Sequence, residues 1–242
     1  MKVENFKRKA GLLAINSGFP ALFRAVAPRL RRLSYFVEYA AWYRDNRVKA
    51  KTISTDRAFG RQNRYALYES VGTAMDLFDK PIDYLEFGVA EGYSLRWWVA
   101  HNAHPESTFT GFDTFTGLPE DWGTMPKGTF STDGKTPEIS DTRCRFEVGL
   151  FQETLLTFLS QDNALGNRKV LHIDCDIYSA ALYVLTHIEQ HLQPSDVIFF
   201  DEFSDPTHEF RAFLDFAAAS GRRLSVIAAA NGGHKLALRV EP

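Results

Sequence analysis

From residue 82 onward, short apolar runs alternate with segments of helical period, and few folds accommodate that rhythm. Runs over residues 82–89, 108–113, 145–149, 169–174 and 196–201 read as buried strands. Residues 93–102, 151–160, 179–191 and 207–220 read as helices between or after them. Strands joined by helical crossovers run parallel, and right-handed crossovers cover both faces of the sheet. Two further runs, 224–229 and 234–240, are separated by little more than Asn231-Gly232-Gly233, the pattern of an antiparallel hairpin. The expected architecture is a doubly wound α/β domain with a mostly parallel sheet of seven strands, ending in an antiparallel hairpin.

In such sheets ligands bind beyond the carboxyl ends of the strands, where the strand order switches. The residues expected there are Glu86 to Gly88, Asp113, Gly149, Asp174 and Asp201-Glu202, an acid at four of five ends. Stability alone gives no reason to gather carboxylates along one edge. The first turn reads Tyr84-Leu85-Glu86-Phe87-Gly88-Val89-Ala90-Glu91-Gly92-Tyr93-Ser94. Gly88 permits a tight turn off the strand, and Gly92 opens a helix whose N-terminal amides suit an anion. By itself Gly-x-x-x-Gly also fits plain strand–helix punctuation. It lacks the third glycine of the dinucleotide fingerprint. No Tyr-x-x-x-Lys stands on a helix, which argues against a dinucleotide-dependent oxidoreductase. Asp113, 27 residues after Glu86, is placed to accept hydrogen bonds from a ribose diol.

Residues 65–242 are expected to form this domain, preceded by a basic helical extension and polar segment over residues 1–64. The extension reads as helices at 4–17, 20–32 and 34–47, and a further helix spans 65–78. Of the chain's 28 bases and 30 acids, twelve and three lie within residues 1–51, so the remainder is acidic. Three readings stay open for this arm: a solvated helical extension, contact with a membrane surface, and self-association into a homo-oligomer. Its Phe, Leu and Tyr residues call for a core. Nucleic acid is not an expected partner, because the strand ends beside the opening are acidic. No apolar run reaches the roughly 20 residues of a membrane span. Residues 11–27 are interrupted by Asn16, Ser17, Pro20 and Arg24 and carry no small-residue cleavage pattern. With only Cys144 and Cys175 there is no disulfide framework, and a cytoplasmic location is expected.

The turn from Leu85 to Ser94 resembles the first motif of class I S-adenosylmethionine-dependent methyltransferases, particularly the catechol O-methyltransferase group. The later segments Asp174-Cys175-Asp176-Ile177-Tyr178 and Asp201-Glu202-Phe203, with a helix containing Arg211, resemble the macrocin O-methyltransferase (TylF/MycF-like) family. Phe112-Asp113-Thr114-Phe115, with Gly117 to Pro119, resembles that family's second motif. The resemblance runs from about residue 65 to the C-terminus and implies a Rossmann-like methyltransferase fold. It implies that the glycine turn (Glu86, Gly88, Gly92) and Ser94 hold the methionine end of S-adenosylmethionine and that Asp113 holds the ribose. The segment from Phe146 through Gly149 to Leu155 would lie against the adenine. The implied acceptor is a hydroxyl of a saccharide or glycoside.

Methyl transfer to an alcohol requires loss of a proton and alignment with the methyl group, and a divalent ion supports both. Mg²⁺ takes oxygen ligands, and the resemblance assigns it to Asp174, Asp201 and Glu202. The family usually has Asp-Asp where this chain has Asp201-Glu202. Without a metal, Asp174 would contact the cofactor amine or act as general base. His208, expected at the next helix start, either takes the acceptor's proton or is an exposed helix residue. His172 is expected as a satisfied core histidine, Asp176 as a helix cap, and Tyr178 as a cap or pocket residue. Residues 114–142, with Trp122, Met125 and Phe130, form a long segment expected to cover the acceptor. Arg57, Arg61 and Arg64 are candidates to clamp an acceptor anion or simple surface charges. Alternatives to a sugar O-methyltransferase are a phenol or catechol O-methyltransferase and a non-catalytic basic scaffold.

Overall fold

In the computed structural model, which describes residues 9, 24, 26–47, 50–54, 61–161 and 164–242, the alternation resolves into one eight-stranded sheet. The strands are β1 (Lys51–Thr52), β2 (Ile82–Phe87), β3 (Thr108–Asp113), β4 (Cys144–Val148), β5 (Arg168–Ile173), β6 (Val197–Phe200), β7 (Leu224–Ala230) and β8 (Lys235–Val240). Their order is β1-β7-β8-β6-β5-β2-β3-β4. All pairings are parallel except those of β8 with β6 and β7. From β2 the chain builds outward through β3 and β4, then returns to place β5 and β6 on the other side of β2. The switch in direction falls between β2 and β5.

The helices are α1 (Ala27–Arg47), α2 (Arg61–Ala74), α3 (Tyr93–His101), α4 (Phe151–Leu159), α5 (Tyr178–Ile188) and α6 (Glu209–Ser220). Strand alternation sorts the core into two layers. Leu85, Phe87, Leu171, Ile173, Ile198 and Phe200 pack with α4, α5 and α6 on one face. Tyr84, Val170, Val197 and Phe199 pack with Leu67, Tyr68 and Val71 of α2 and Leu95 and Trp98 of α3 on the other.

Three expectations change. The sheet has an eighth strand, because Lys51 and Thr52 add to the edge of β7 and Ile53 donates its N–H to Ala229 O at 2.8 Å. Residues 27–47 form one helix rather than two. Pro28 sits in the first turn, where no N–H is required, and the Ser34 hydroxyl bonds forward to Glu38 at 3.4 Å. Helix α2 ends at Ala74 because Asp76 adopts φ 54° and Leu77 N returns to Gly72 O. The expected helix at 4–17 and the beginning of the one at 20–32 lie outside the described residues. No described helix is long and apolar enough to cross a membrane.

Helix α1 is held by aromatic contacts. Tyr39 is buried, with its ring 5.2 Å from that of Phe210, and Trp42 lies 5.0 Å from Phe203 and 5.2 Å from Phe213. Trp42→Ala should lower the unfolding free energy by roughly 3 kcal/mol, the low end for such a truncation because the ring is only partly buried. Denaturant unfolding checks this, and unchanged stability would mean that α1 is not docked through this ring.

Candidate functional site

A cleft of about 1520 Å³ opens at the carboxyl ends of the parallel strands, spanning the switch between β2 and β5. The glycine turn forms one wall. Gly88 has φ 93°, and a Cβ there would stand 1.8 Å from the Asp174 carbonyl oxygen, so only glycine lets the ends of β2 and β5 pass this closely. Gly92 has φ 72°, precedes α3, and would press a Cβ to within 2.7 Å of Pro137. Both glycines are thus required by the protein's own packing. Asp113 organises the turn beside them. Its Oδ2 accepts from the amides of Val89 at 2.7 Å and Ala90 at 2.9 Å, and its Oδ1 from Phe115 N at 2.8 Å. Gly149 N donates to the Asp113 carbonyl at 3.0 Å, which ties the third strand end to the second. Gly88, Asp113 and Gly149 therefore line one cleft, whereas Gly92, packed against Pro137, is not in the lining although its neighbours Glu91 and Tyr93 are.

Beneath this wall lies a polar network created by strand parity. Glu86, His172 and Asp201 point to the face covered by α2, and Glu86 and His172 are direct partners across β2 and β5. His172 is 1% exposed and sits between two tyrosines, Nδ1 at 3.1 Å from Tyr84 Oη and Nε2 at 3.1 Å from Tyr68 Oη. Tyr84 donates to Glu86 Oε2 at 2.8 Å and Tyr68 to Ser94 Oγ at 3.0 Å. Each hydroxyl is therefore left to accept from His172, so both ring nitrogens carry protons. Burial opposes that charge, but Asp201, Glu86 and Asp174 outweigh it and lift the His172 pKa to about 9. The expectation of a satisfied core histidine holds. Tyr68 and Tyr84 were not singled out in the sequence, although Tyr84 shares the parity of Glu86.

Arg64 does not face outward to clamp an acceptor. Its guanidinium turns inward to Asp201, to Ser94 Oγ at 3.1 Å and to Asp174 at 3.3 Å. Arg57 and the Arg61 side chain lie outside the described residues. Lys235 of β8 also reaches Asp201. Burial disfavours the Asp201 charge, yet Arg64, Lys235 and His172 together hold its pKa well below the carboxylate range.

The acids do not converge as expected. Asp174, Asp201 and Glu202 do not form one cluster. Asp174 instead meets Asp176 and Glu202, with ligand oxygens all within 4.8 Å of one another. Asp201 falls into a second group, with His172 and Asp174. The reason is local. Asp176 adopts φ 62° and Ile177 N folds back to Cys175 O at 2.6 Å, which turns Asp176 into the cleft instead of onto the helix as a cap. Burial, then repulsion from Asp174 and Asp201, lifts Asp176 to about 8. Burial and the same neighbours push Glu202 well above its ordinary range, and its Oε2 is buried without a hydrogen-bond partner. Three crowded carboxylates with an orphaned oxygen fit a divalent cation by donor chemistry. Glu209, fully buried behind them, accepts the Glu202 amide at 3.0 Å.

His208 is not among the residues lining the cleft. It precedes α6, its Nδ1 accepts from Tyr178 N at 3.3 Å, and burial lowers its pKa. Its ring stands edge-on to Trp122 at 6.4 Å. Tyr178 is also outside the lining, donating to Asp215 at 2.8 Å beneath the Arg211 guanidinium. The segment 114–142 does border the opening through Trp122, Met125 and Phe130, and it is anchored by buried Phe115 against Phe146. The facing wall is α1, which contributes Phe36, Tyr39, Tyr43, Arg44 and Arg47.

Residues 85–203 match a family model described as a methyltransferase domain. No curated protein matches the chain by sequence. Among solved structures, CalS11, a calicheamicin methyltransferase, is 19% identical with a TM-score of 0.55, covering 96% of this chain and 90% of that one. The O-methyltransferase NovP is 19% identical with a TM-score of 0.53, covering 75% and 79%. An apo form of CalS11, described as a TDP-rhamnose 3′-O-methyltransferase, is 21% identical with a TM-score of 0.51, covering 73% and 80%. The fold is the Rossmann-like methyltransferase fold.

The His172 network has a pH signature. Its pKa rises from 6.5 to about 9 on folding, so the native state binds the proton more tightly. That contribution to stability is fully present below 6.5 and is lost as pH climbs through about 9. Wild type should lose thermal stability between pH 7 and pH 9.5 more steeply than His172→Gln. Parallel melting profiles for the two proteins over that interval would refute the assignment.

Proposed function

We propose that the protein is an S-adenosylmethionine-dependent O-methyltransferase acting on a hydroxyl of a sugar or glycosylated small molecule, assisted by a divalent metal such as Mg²⁺. The observation that carries this reading is the single cleft with the glycine turn and Asp113 on one side and the Asp174, Asp176 and Glu202 cluster on its floor. The match of residues 85–203 to a methyltransferase domain supports it, as does likeness in fold to NovP and to CalS11 with its sugar-linked substrate.

Bound S-adenosylmethionine supplies a sulfonium-activated methyl group. This chain's residues bind and orient. Ser94 Oγ already accepts from Tyr68 and Arg64, so its own O–H is left to donate to the amino-acid carboxylate, with Arg64 alongside. Asp113 uses one lone pair for each backbone amide it accepts and offers the remainder to ribose hydroxyls. Leu150 and Phe151, which follow Gly149 on the cleft, give an apolar surface for the adenine. Asp174, Asp176 and Glu202 would hold a divalent cation, which lowers the pKa of a bound hydroxyl and fixes its direction. The crowding that lifts Asp176 to about 8 would be relieved by that cation, which would keep the three carboxylates ionised as its ligands. His208 has no part in this scheme, since its Nδ1 is engaged by backbone outside the cleft. Helix α1 and the 114–142 segment keep water from the reacting groups.

Purified protein incubated with methyl-labelled S-adenosylmethionine and a panel of sugars, glycosides and catechols should label a sugar hydroxyl, and a chelator should suppress the transfer. Absence of transfer to every hydroxyl acceptor, together with no binding of S-adenosylhomocysteine by calorimetry, would overturn the reading. Transfer confined to catechols would replace the acceptor class. Two variants divide the site. Asp113→Ala should weaken cofactor binding by on the order of tenfold or more, through loss of charge-assisted hydrogen bonds. Asp174→Ala should retain cofactor binding and lose turnover. Equal affinity for S-adenosylhomocysteine in Asp113→Ala and wild type would remove the ribose assignment.

A further inference from the structure

The cleft is larger than the roughly 300–1,000 Å³ that one drug-sized ligand occupies, so the cofactor leaves room for a substantial acceptor. Its walls are chemically polarised. The floor at the ends of β5 and β6 carries Asp174, Asp176 and Glu202, beside Asp201 with its partners Arg64 and Lys235. The facing wall is a stripe along α1, where Phe36, Tyr39, Ala40, Tyr43, Arg44 and Arg47 recur at helical spacing and all border the cleft. The two acids of α1, Glu38 and Asp45, are not on that stripe. The acids of the rim, Glu91, Glu120 and Glu153, stand on elements of the other walls.

Arg44 and Arg47 are three residues apart, so their side chains neighbour one another on the helix surface. Among the described residues Arg44 pairs only with its exposed neighbour Asp45, through Nε at 3.1 Å, which leaves its terminal nitrogens available there. Arg47 lies close enough to Tyr43 to act on its hydroxyl, and among the described residues it has no ion-pair partner. The cations of the floor, Arg64 and Lys235, are already engaged with Asp201, whereas this pair offers its charge to an anion. Between the two ends, the rings of Phe36 and Tyr43, the latter backed by Tyr39, offer apolar surface to a base or a sugar ring.

Resting on the methyltransferase reading, we propose that the acceptor is anionic, a phosphate- or diphosphate-bearing glycoside. Arg44 and Arg47 hold its charged end at α1, while its reacting hydroxyl lies at Asp174 and Asp176. Anchoring the charged end at α1 then orients the acceptor as well as binding it.

Calorimetric titration of the full chain with uridine diphosphate and with uridine, each with and without S-adenosylhomocysteine, tests this. Uridine diphosphate should bind about tenfold or more tightly than uridine, the scale of hydrogen bonds to charged groups. The Arg44→Gln/Arg47→Gln double variant should lose that advantage and keep wild-type affinity for S-adenosylhomocysteine and wild-type melting temperature. Arg29→Gln/Arg31→Gln, on the same helix but off the cleft lining, should leave uridine diphosphate binding unchanged. The proposal is overturned by equal affinity for diphosphate and nucleoside, by no loss in the Arg44/Arg47 variant, or by an equal loss in the Arg29/Arg31 variant. The two levels separate cleanly. S-adenosylhomocysteine binding without a diphosphate preference removes the anionic acceptor and leaves the enzyme class. A diphosphate preference dependent on Arg44 and Arg47, without S-adenosylhomocysteine binding, keeps the anion site and removes the methyltransferase reading.

Discussion

Asp201 carries its charge in the interior, and cations from three different elements converge on it: Arg64 from α2, Lys235 from β8 and His172 from β5. A carboxylate taken out of water is costly unless its partners are held in good geometry, and removing one partner leaves a charge stranded. This cluster therefore makes the floor of the cleft a single unit. The same guanidinium that compensates Asp201 also meets Asp174 and Ser94. The docking of α2 and the arrangement of the glycine-turn wall are thus tied to one side chain. His172 carries the unit further, through Tyr84 to Glu86 and through Tyr68 to Ser94. Two strand ends and two helices are positioned by this chain of hydrogen bonds.

The parts of this arrangement that follow local rules were readable from residues alone. Strand–helix alternation gave the sheet and its parallel sense, and the strand ends bearing Gly88, Asp113, Gly149 and Asp174 do border one cleft. What escaped was whatever depends on distant pairing. Arg64 reads as one of several basic residues in a polar stretch, and nothing nearby says that its partner stands 137 positions away. Parity would have been the available signal. Glu86, His172, Asp174 and Asp201 alternate onto one face, and a buried set of acids on one face demands cations from the elements covering it. Asp176 escaped for another reason. Its left-handed backbone, tolerated by Asp, redirects the side chain in a way that a helix-cap pattern does not reveal.

Helix α1 teaches a related lesson. By charge it resembles a solvated arm, and its first half is exposed, with Leu30, Leu33 and Val37 facing outward. Its second half is fastened by Tyr39 and Trp42 to the aromatic group of Phe203, Phe210 and Phe213. Phe203 directly follows Asp201 and Glu202, so the residue that receives α1 continues the strand end that carries the floor. The extension and the site are therefore joined through packing, and the basic residues of α1 acquire a place on the cleft that composition alone does not assign.

The contrast between the two carboxylate groups is the deeper point. Around Asp201 the fold provides more cations than acids and drives the carboxylate to remain charged. A few ångströms away it crowds Asp174, Asp176 and Glu202 together and leaves a buried Glu202 oxygen without a partner. Both groups lie at adjacent strand ends, and the same fold that neutralises one so thoroughly leaves the other frustrated. Unmet polar capacity inside a protein is expensive, and the Glu202 oxygen carries it at a surface that opens to the cleft. A ligand that brought positive charge to those oxygens and a hydroxyl beside them, as proposed, would relieve that cost on binding. In the proposed reading the frustration of the second group would be the source of the site's affinity, while the ion pairs of the first hold Asp201 in place.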